Sequence, residues 1–504
     1  MEHFDVVIVG AGLSGIGAAR QLQDKCPDKR FTIIEGRDTI GGTWDLFRYP
    51  GIRSDSDMYT MGYDTKPWLD PKAIADGPSI LSYVQEAAAE RGLNEHIRFG
   101  HKFTAAAWSS SDSRWTLQLL RGEGVEPVQI SCNVLFVCSG YYNYAHGYLP
   151  EFTGSDEFKG QTVHPQHWPE DLDYAGKRVV IIGSGATAMT LVPAMAKTAA
   201  KVTMLQRSPT YVVSMPAEDP IAGVLRKMLP EKLAYRLIRW KNVQMQRFMY
   251  ARTRSKPESV KRHLLGLVRK QLGPDYDIEK HFTPSYNPWD QRLCLVPDAD
   301  LFKAIKAGRA DVVTDEIEHF TSTGIALKSG QTLEADIIVT ATGLDLKVLG
   351  GAQYTVDGEA VNFPDTHSYK GMMFSGVPNL IYTIGYINAS WTLRSELVAE
   401  YVCRLVNRMT ELRVSQCTPR LRAVDETMGM NPMIADFSPG YLRRGLHLFP
   451  QQGDRDPWRN TQNYALDKKT IRNQPIDDDV LEFANAAPAQ LRSVDEAAQS
   501  KSAA

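Results

Sequence analysis

The sequence predicts an α/β protein built from two strand–turn–helix units of the same kind, with a helical insertion in the second. Three observations predict it. The apolar run Phe4 to Val9 leads directly into Gly10-Ala11-Gly12-Leu13-Ser14-Gly15 and an alanine-rich helical stretch from Ile16 to Leu22. The run Arg178 to Ile182 leads in the same way into Gly183-Ser184-Gly185-Ala186-Thr187-Ala188. The first unit is followed by an apolar strand ending in glycine, Val134 to Cys138 before Ser139-Gly140, suited to a chain leaving one domain for another, and Ala335 to Thr340 before Ala341-Thr342-Gly343 mirrors it in the second. Short continuous apolar runs of this kind form strands buried on both faces.

In the first unit, Gly10 allows the tight turn, Gly12 lets backbone N–H groups approach a pyrophosphate and Gly15 lets helix pack on strand. The helix N-terminus adds partial positive charge at the phosphates. The next strand, Phe31 to Ile34, ends in Glu35, twenty residues past Gly15. An acid there binds ribose hydroxyls and repels a 2′-phosphate, which points to FAD or NAD; the alternative is an ordinary surface acid. In the second unit the strand Lys201 to Leu205 ends in Gln206-Arg207-Ser208 with no acid. Arg207 offers a bidentate donor where a 2′-phosphate would sit, and Ser208 adds a hydroxyl. Gly183, Ser184, Gly185, Ala186 and Thr187 form that unit's cradle, and Ala188 stands in the third glycine position. The pair reads as two Rossmann-like dinucleotide-binding domains, FAD first and NADPH second.

Composition bounds the rest. A chain of 504 residues can bury at least two cores. A net charge of −2 argues against a nucleic-acid partner. The six cysteines show no CxxC and no metal-ligand spacing, so reduced or buried thiols and no metal are expected. The first strand begins by residue 4 and no run of 18 apolar residues occurs, so the expectation is a cytoplasmic protein without signal peptide or membrane span. The expected division is 1–144 and 341–484 for the first domain, 145–340 for the second with a helical insertion over 217–290, and a loose tail over 485–504. Within the insertion, residues 226–270 carry fourteen Lys or Arg against Glu231 and Glu258. A helical insertion packed on the core with solvated cations is the favoured arrangement, and peripheral contact with an anionic membrane face is the alternative.

Three further stretches carry chemistry. Gly41 to Asp55 packs Gly42, Thr43, Trp44, Tyr49-Pro50-Gly51 and Asp55 into a structured loop, because Pro50 and Gly51 stop a helix. From the residues alone Asp55 would be the cap of a following helix. Phe158 to Trp168 shows neither helical nor strand periodicity, and its His164 could simply cap a turn. Asn287 to Cys294 returns the chain to the domain core and contains Arg292, for which a surface salt bridge is the plain alternative. After the apolar run Ile381 to Ile384, a helix is expected to start near Asn388 to Thr392 with its N–H groups facing outward.

The spacing Phe158, Gly160, His164, Trp168 followed by Pro169, the order Gly42, Trp44, Tyr49, Pro50, Gly51, Asp55, and the block NPWDQRLCLVP resemble the type I Baeyer–Villiger monooxygenases. Across residues 4 to about 480 the chain is especially similar to their ethionamide-activating branch. The resemblance implies an FAD-dependent enzyme that uses NADPH and O2 to insert oxygen into ketones through a C4a-peroxyflavin, giving esters or lactones, and that also oxidises sulfides or thioamides. It implies that Arg292 is the fixed cation on the reactive face, that Asp55 orients it, and that His164 and Trp168 act through domain motion. Many members carry Lys just before that arginine; Gln291 here shifts the 2′-phosphate burden to Arg207. Two alternatives remain: an N- or S-oxygenating flavin monooxygenase, against which Trp168 argues, and a non-catalytic nucleotide-binding redox sensor.

Overall fold

The computed structural model of the protein describes residues 1–122, 124–291, 293–435 and 439–486. Two sheets carry the two glycine turns. Among the described residues the first is nine-stranded, in the order Glu359–Ala360, Gln353–Val356, His101–Ser109, Arg114–Arg121, Glu126–Val137, Glu2–Val9, Phe31–Ile34 and Ile97–Arg98, with Leu380–Tyr382 added beside the end of Glu126–Val137. Its centre is parallel, with Val6 opposite both Phe31 and Val134, and the strand FTII is buried along its whole length. The second sheet is all parallel: Ala310–Thr314, Lys201–Gln206, Arg178–Ile182, Ile337–Thr340 and Gln161–Val163.

Residues 101–133, a span without a clear assignment from sequence, form with the expected strand after them an antiparallel meander on the first sheet. Trp115, Leu117 and Leu119 are buried while Thr116, Gln118 and Leu120 are partly exposed, the two-residue period of a sheet with one covered face. The segment after Phe158 also differs from expectation, because Gln161–Val163 is an edge strand and not a loop. Three residues are too few to show a period, and the strand is dictated by its parallel register with Ile337–Val339.

The chain passes between the sheets twice, and the two passages pair. Tyr142–Gly147 runs antiparallel to Leu344–Leu346, extended by Tyr148 N–H to the Gly343 carbonyl at 3.1 Å and Lys347 N–H to the Tyr141 carbonyl at 2.9 Å. The stretch around the expected boundary at 144/145 is therefore one arm of a two-stranded ribbon.

The insertion comprises helices Pro220–Met228, Glu231–Ser255 and Pro257–Leu272 and leans on both units. Ala222, Ala234, Tyr235 and Ile238 are buried in the core of the first unit, whereas Val268, Ile278 and Phe282 belong to that of the second. Helix Trp391–Leu412 packs along Leu13–Lys25 and meets the insertion at a buried ion pair, Arg239 Nη2 to Glu396 Oε2 at 2.5 Å. The other Glu396 oxygen accepts the Asp64 N–H at 2.6 Å, and Arg239 Nη1 donates to the Gly62 and Tyr59 carbonyls. Burial pushes the Glu396 carboxyl up, opposed chiefly by the Arg239 charge.

A pair this dry is costly to break on one side. Glu396→Leu leaves the Arg239 cation stranded and is expected to cost about 3–5 kcal/mol in chemical denaturation of the holoprotein, with part recovered when Arg239→Met is added. A loss below about 1 kcal/mol, the worth of an exposed pair, would contradict the assignment.

Candidate functional site

Both glycine turns open into one cavity of about 1220 Å³. That exceeds the roughly 300–1,000 Å³ of a single small-molecule site. In the first unit Gly10 has φ +105°, and a Cβ there would lie 2.8 Å from the Cys138 carbonyl oxygen. Gly15 lies beneath the cavity rather than on its wall; a Cβ there would meet the Gly10 carbonyl at 1.8 Å, as helix-on-strand packing requires. Helix Leu13–Lys25 starts at Gly12 with no side-chain cap, so its first N–H groups are available to an anion. Glu35 is buried, with Oε2 accepting the Ala11 N–H at 2.7 Å and Oε1 the Arg37 N–H at 2.9 Å. Burial raises its pKa against those two bonds. The acid expected at the ribose thus also braces the glycine turn.

Gly42, Thr43 and Trp44 line the cavity with Gly42 packed against Gly12 of that turn, and Thr43–Leu46 forms one helical turn within the expected loop. That turn ends before Pro50 and Gly51 are reached, as Phe47 is already extended. Asp55 also lines the cavity. The helix cap is Asp57 instead, whose side chain accepts the Thr60 N–H at 3.1 Å. The loop reaches across to the second unit. Phe47 and Tyr49 are buried in that unit's core, and burial pushes the Tyr49 hydroxyl up to about 12 against the Thr187 side chain.

The second turn repeats the first. Gly183 has φ +139°, its Cβ position is 2.3 Å from the Ala341 carbonyl, and helix Ala186–Met195 starts at Gly185 without a side-chain cap. Ser184 Oγ donates to the Ser208 carbonyl at 3.0 Å, tying the turn to the next strand's end. Ser184, Gly185, Ala186, Thr187, Arg207 and Ser208 all line the cavity. Asp315 and Glu316 share the rim with Arg207, and Glu316 is engaged by Lys328 at 2.5 Å. Arg292 lies outside the described residues; Gln291 before it and Leu295 after it line the cavity.

The fingerprint residues divide. His164 lines the cavity, whereas Phe158 is buried against Phe320, Gly160 lies against the Asp336 carbonyl, and Trp168 packs on the second core. His164 does cap a turn, accepting the Gln166 N–H on Nδ1 at 3.2 Å, but it also abuts the ribbon. A Cβ on Gly147 would sit 2.1 Å from His164 Cε1. Gln166 Nε2 donates to the Asn143 carbonyl at 2.7 Å, and His167 Nε2 lies 3.1 Å from the Ala145 carbonyl. The fingerprint is thus a clamp on one arm of the ribbon. Burial lowers the His164 pKa, opposed by the backbone at Gly343 and Tyr148.

Sequence reasoning missed several cavity residues. Trp391 Nε1 donates to Ser14 Oγ at 2.8 Å, and the indole lies 5.3 Å from the Tyr141 ring. The helix it begins has Ser390 at its N-cap without a capping bond; Ser390 Oγ instead meets Thr60 Oγ1 at 2.6 Å. Tyr144, 3.4 Å from Thr43 Oγ1, covers the Gly42 side, and the Arg444 guanidinium stacks 3.5 Å above the Tyr148 ring. These positions come together only through the ribbon and the C-terminal half, for which no local spacing is a signal.

The sequence model of the flavin-binding monooxygenase-like family matches residues 4–350. The chain is 54% identical over 484 residues to the FAD-containing monooxygenase EthA of Mycobacterium tuberculosis, covering 96% of this chain and 98% of the relative. It is 50% identical over 490 residues to the putative FAD-containing monooxygenase MymA of the same organism, covering 96% and 98%. The structure of oxidised steroid monooxygenase bound to NADP superposes with a TM-score of 0.72 at 22% identity, over 84% of this chain and 89% of that one. The chain belongs to the flavin-binding monooxygenase family, with EthA and MymA among its relatives.

Two outcomes follow from the clamp. Gly147→Ala drives a methyl into the His164 ring and is expected to lower the thermal midpoint of the holoprotein by the equivalent of about 1–3 kcal/mol. Because the folded His164 holds its proton less tightly than a free imidazole of pKa about 6.5, the unfolded chain binds more protons just below that pH, and stability falls as the pH drops through the window. His164→Asn keeps a turn cap without the titration, so its stability should fall less steeply on acidification in thermal scans.

Proposed function

We propose that the protein is an FAD-dependent, NADPH- and O2-using Baeyer–Villiger monooxygenase, acting on ketones to give esters or lactones and on sulfides or thioamides. One observation carries the reading: a turn backed by Glu35 and a turn backed by Arg207 open into the same cavity, which Asp55 also lines. FAD would be held by Gly10, Gly12, Ser14, Glu35, Gly42, Thr43 and Trp44. NADPH would be held by Gly183, Ser184, Gly185, Ala186, Thr187, Arg207 and Ser208. When bound, the pair supplies hydride and an activated oxygen at the flavin ring.

The chain's own residues supply the surroundings. Arg292 is taken as a permanent cation on the strength of the resemblance, a reading supported by Gln291 and Leu295, which flank it in sequence and line the cavity. A guanidinium stays charged at any working pH, so it stabilises developing negative charge without donating a proton. Asp55 would orient it. The uncapped N-terminus of helix Trp391–Leu412 adds partial positive charge at the cavity, which Ala389 and Trp391 line. Trp391 and Tyr141 cover the Ser14 end and keep water from it. His164, through the ribbon, would set when the two units close.

The reading assigns residues 1–144 and 341–484 to the FAD-binding part and 145–340 to the NADPH-binding part, with the insertion over 217–290. Among the described residues no helix is long and apolar enough to cross a membrane. A cytoplasmic enzyme is proposed, with 226–270 as the segment that would meet a membrane face.

Arg292→Ala is expected to keep its yellow FAD absorbance while product formation from a ketone falls by about 10²–10³ or more; undiminished ester formation, read by mass spectrometry, removes Arg292 from the mechanism. Arg207→Ala should raise the KM for NADPH about 10- to 100-fold, the worth of charge-assisted bonds to a phosphate, and leave NADH use little changed. Equal loss with both nucleotides contradicts that role. NADPH consumption with neither ester, lactone nor sulfoxide formed favours a redox sensor instead.

A further inference from the structure

We propose that the outer face of helix Glu231–Ser255, together with helix Pro220–Met228, is a docking surface for an anionic lipid leaflet, which delivers lipophilic substrates to the cavity. Leu233, Leu237, Trp240 and Phe248 follow the i, i+4, i+7, i+15 pattern of one helical stripe, and they are 46%, 40%, 64% and 61% exposed. The opposite side of the same helix is buried through Tyr235, Ile238, Arg239 and Val243. On the preceding helix Ile221, Val224 and Met228 continue the pattern at i, i+3, i+7, being 55%, 56% and 74% exposed. An amphipathic helix whose buried side already lies on the core has no folding use for a second apolar stripe, and apolar side chains this exposed mark an interaction site.

Charge decides the occupant. Lys232, Arg236, Arg247 and Arg252 are exposed beside the stripe and form no salt bridge among the described residues, while Glu231 is the helix's one acid. A second copy docked face to face would set these cations against their own equivalents, whereas a leaflet of anionic headgroups attracts them. Trp240 and Phe248 are the side chains that settle at such an interface.

The same helix holds the cavity loops from its inner side. Asn242 Nδ2 and Gln246 Nε2 each donate to Asp57 at 2.8 Å, two residues beyond Asp55. Arg254 pairs with Asp290 at 2.9 Å, and the Tyr250 ring packs 5.7 Å from Trp289, just before Gln291. A lipid-seated helix therefore brings the cavity wall to the leaflet, which favours ketones or sulfides with long alkyl chains partitioned from it. The substrate statement rests on the monooxygenase reading; the docking does not.

The test is flotation of the full-chain holoprotein with vesicles of phosphatidylcholine, with and without phosphatidylglycerol. Binding to the anionic vesicles that weakens as salt is raised is expected. Trp240→Ser combined with Phe248→Ser should lower the partition about tenfold or more. Arg236→Glu combined with Arg247→Glu should remove the preference for phosphatidylglycerol. Retained flavin absorbance and an unchanged thermal midpoint show that both variants are folded. Absence of vesicle binding, or variants that bind as the parent does, overturns the proposal. So does self-association that the aromatic variant abolishes without any vesicle binding, which makes the face a contact between copies. A long-chain ketone carried in the vesicles should be oxidised more slowly by both variants, with a water-soluble ketone turned over as before. Docking without oxidation of either ketone defeats the monooxygenase reading alone.

Discussion

The antiparallel pairing of Tyr142–Gly147 with Leu344–Leu346 is the constraint on which the site depends. Two separate connections would let the units slide past one another; sharing hydrogen bonds makes them one ribbon that bends but resists shear. Each glycine turn is pressed against the chain just ahead of an arm of that ribbon, Gly10 against Cys138 and Gly183 against Ala341. The two places where phosphates would be gripped are thereby registered to the same hinge. His164 and Gln166 clamp one arm, and Arg444, on the ring of Tyr148 and bonded to the Leu344 carbonyl, touches both.

What could be read from the sequence was whatever is local. Strand, glycine turn, helix and the residue ending the next strand lie within about two dozen positions, so Gly10 through Glu35 and Gly183 through Ser208 were legible with their boundaries nearly intact. Asp55 was ambiguous between cap and cavity until Asp57 took the capping bond. The fingerprint was legible as a pattern but not as a contact, because His164 meets Gly147, a residue with no side chain to mark it. Trp391 was legible only as part of the helix start expected near Asn388 to Thr392, and Tyr144 not as a cavity residue at all. Each reaches the cavity from an element whose placement is set by packing, Trp391 at the head of a helix lying along Leu13–Lys25 and Tyr144 in the ribbon.

The insertion shows how a segment can be read correctly in kind and incompletely in role. Its helices and its excess of cations were evident from composition. The Arg239–Glu396 pair was not, since nothing marks one arginine among fourteen cations as the buried one. That pair and the Asn242 and Gln246 bonds to Asp57 make the insertion a brace between helix Trp391–Leu412 and the loop that carries Asp55.

The burial of Phe47 and Tyr49 in the second unit's core, with Gly51 against Ala194, has a consequence for modularity. A chimera that exchanged one nucleotide unit for that of a distant homologue at the ribbon would leave two aromatic rings facing a foreign surface. The modules are separable along the backbone but not by their side chains, so recombination has to carry residues 47–52 along with the partner that receives them.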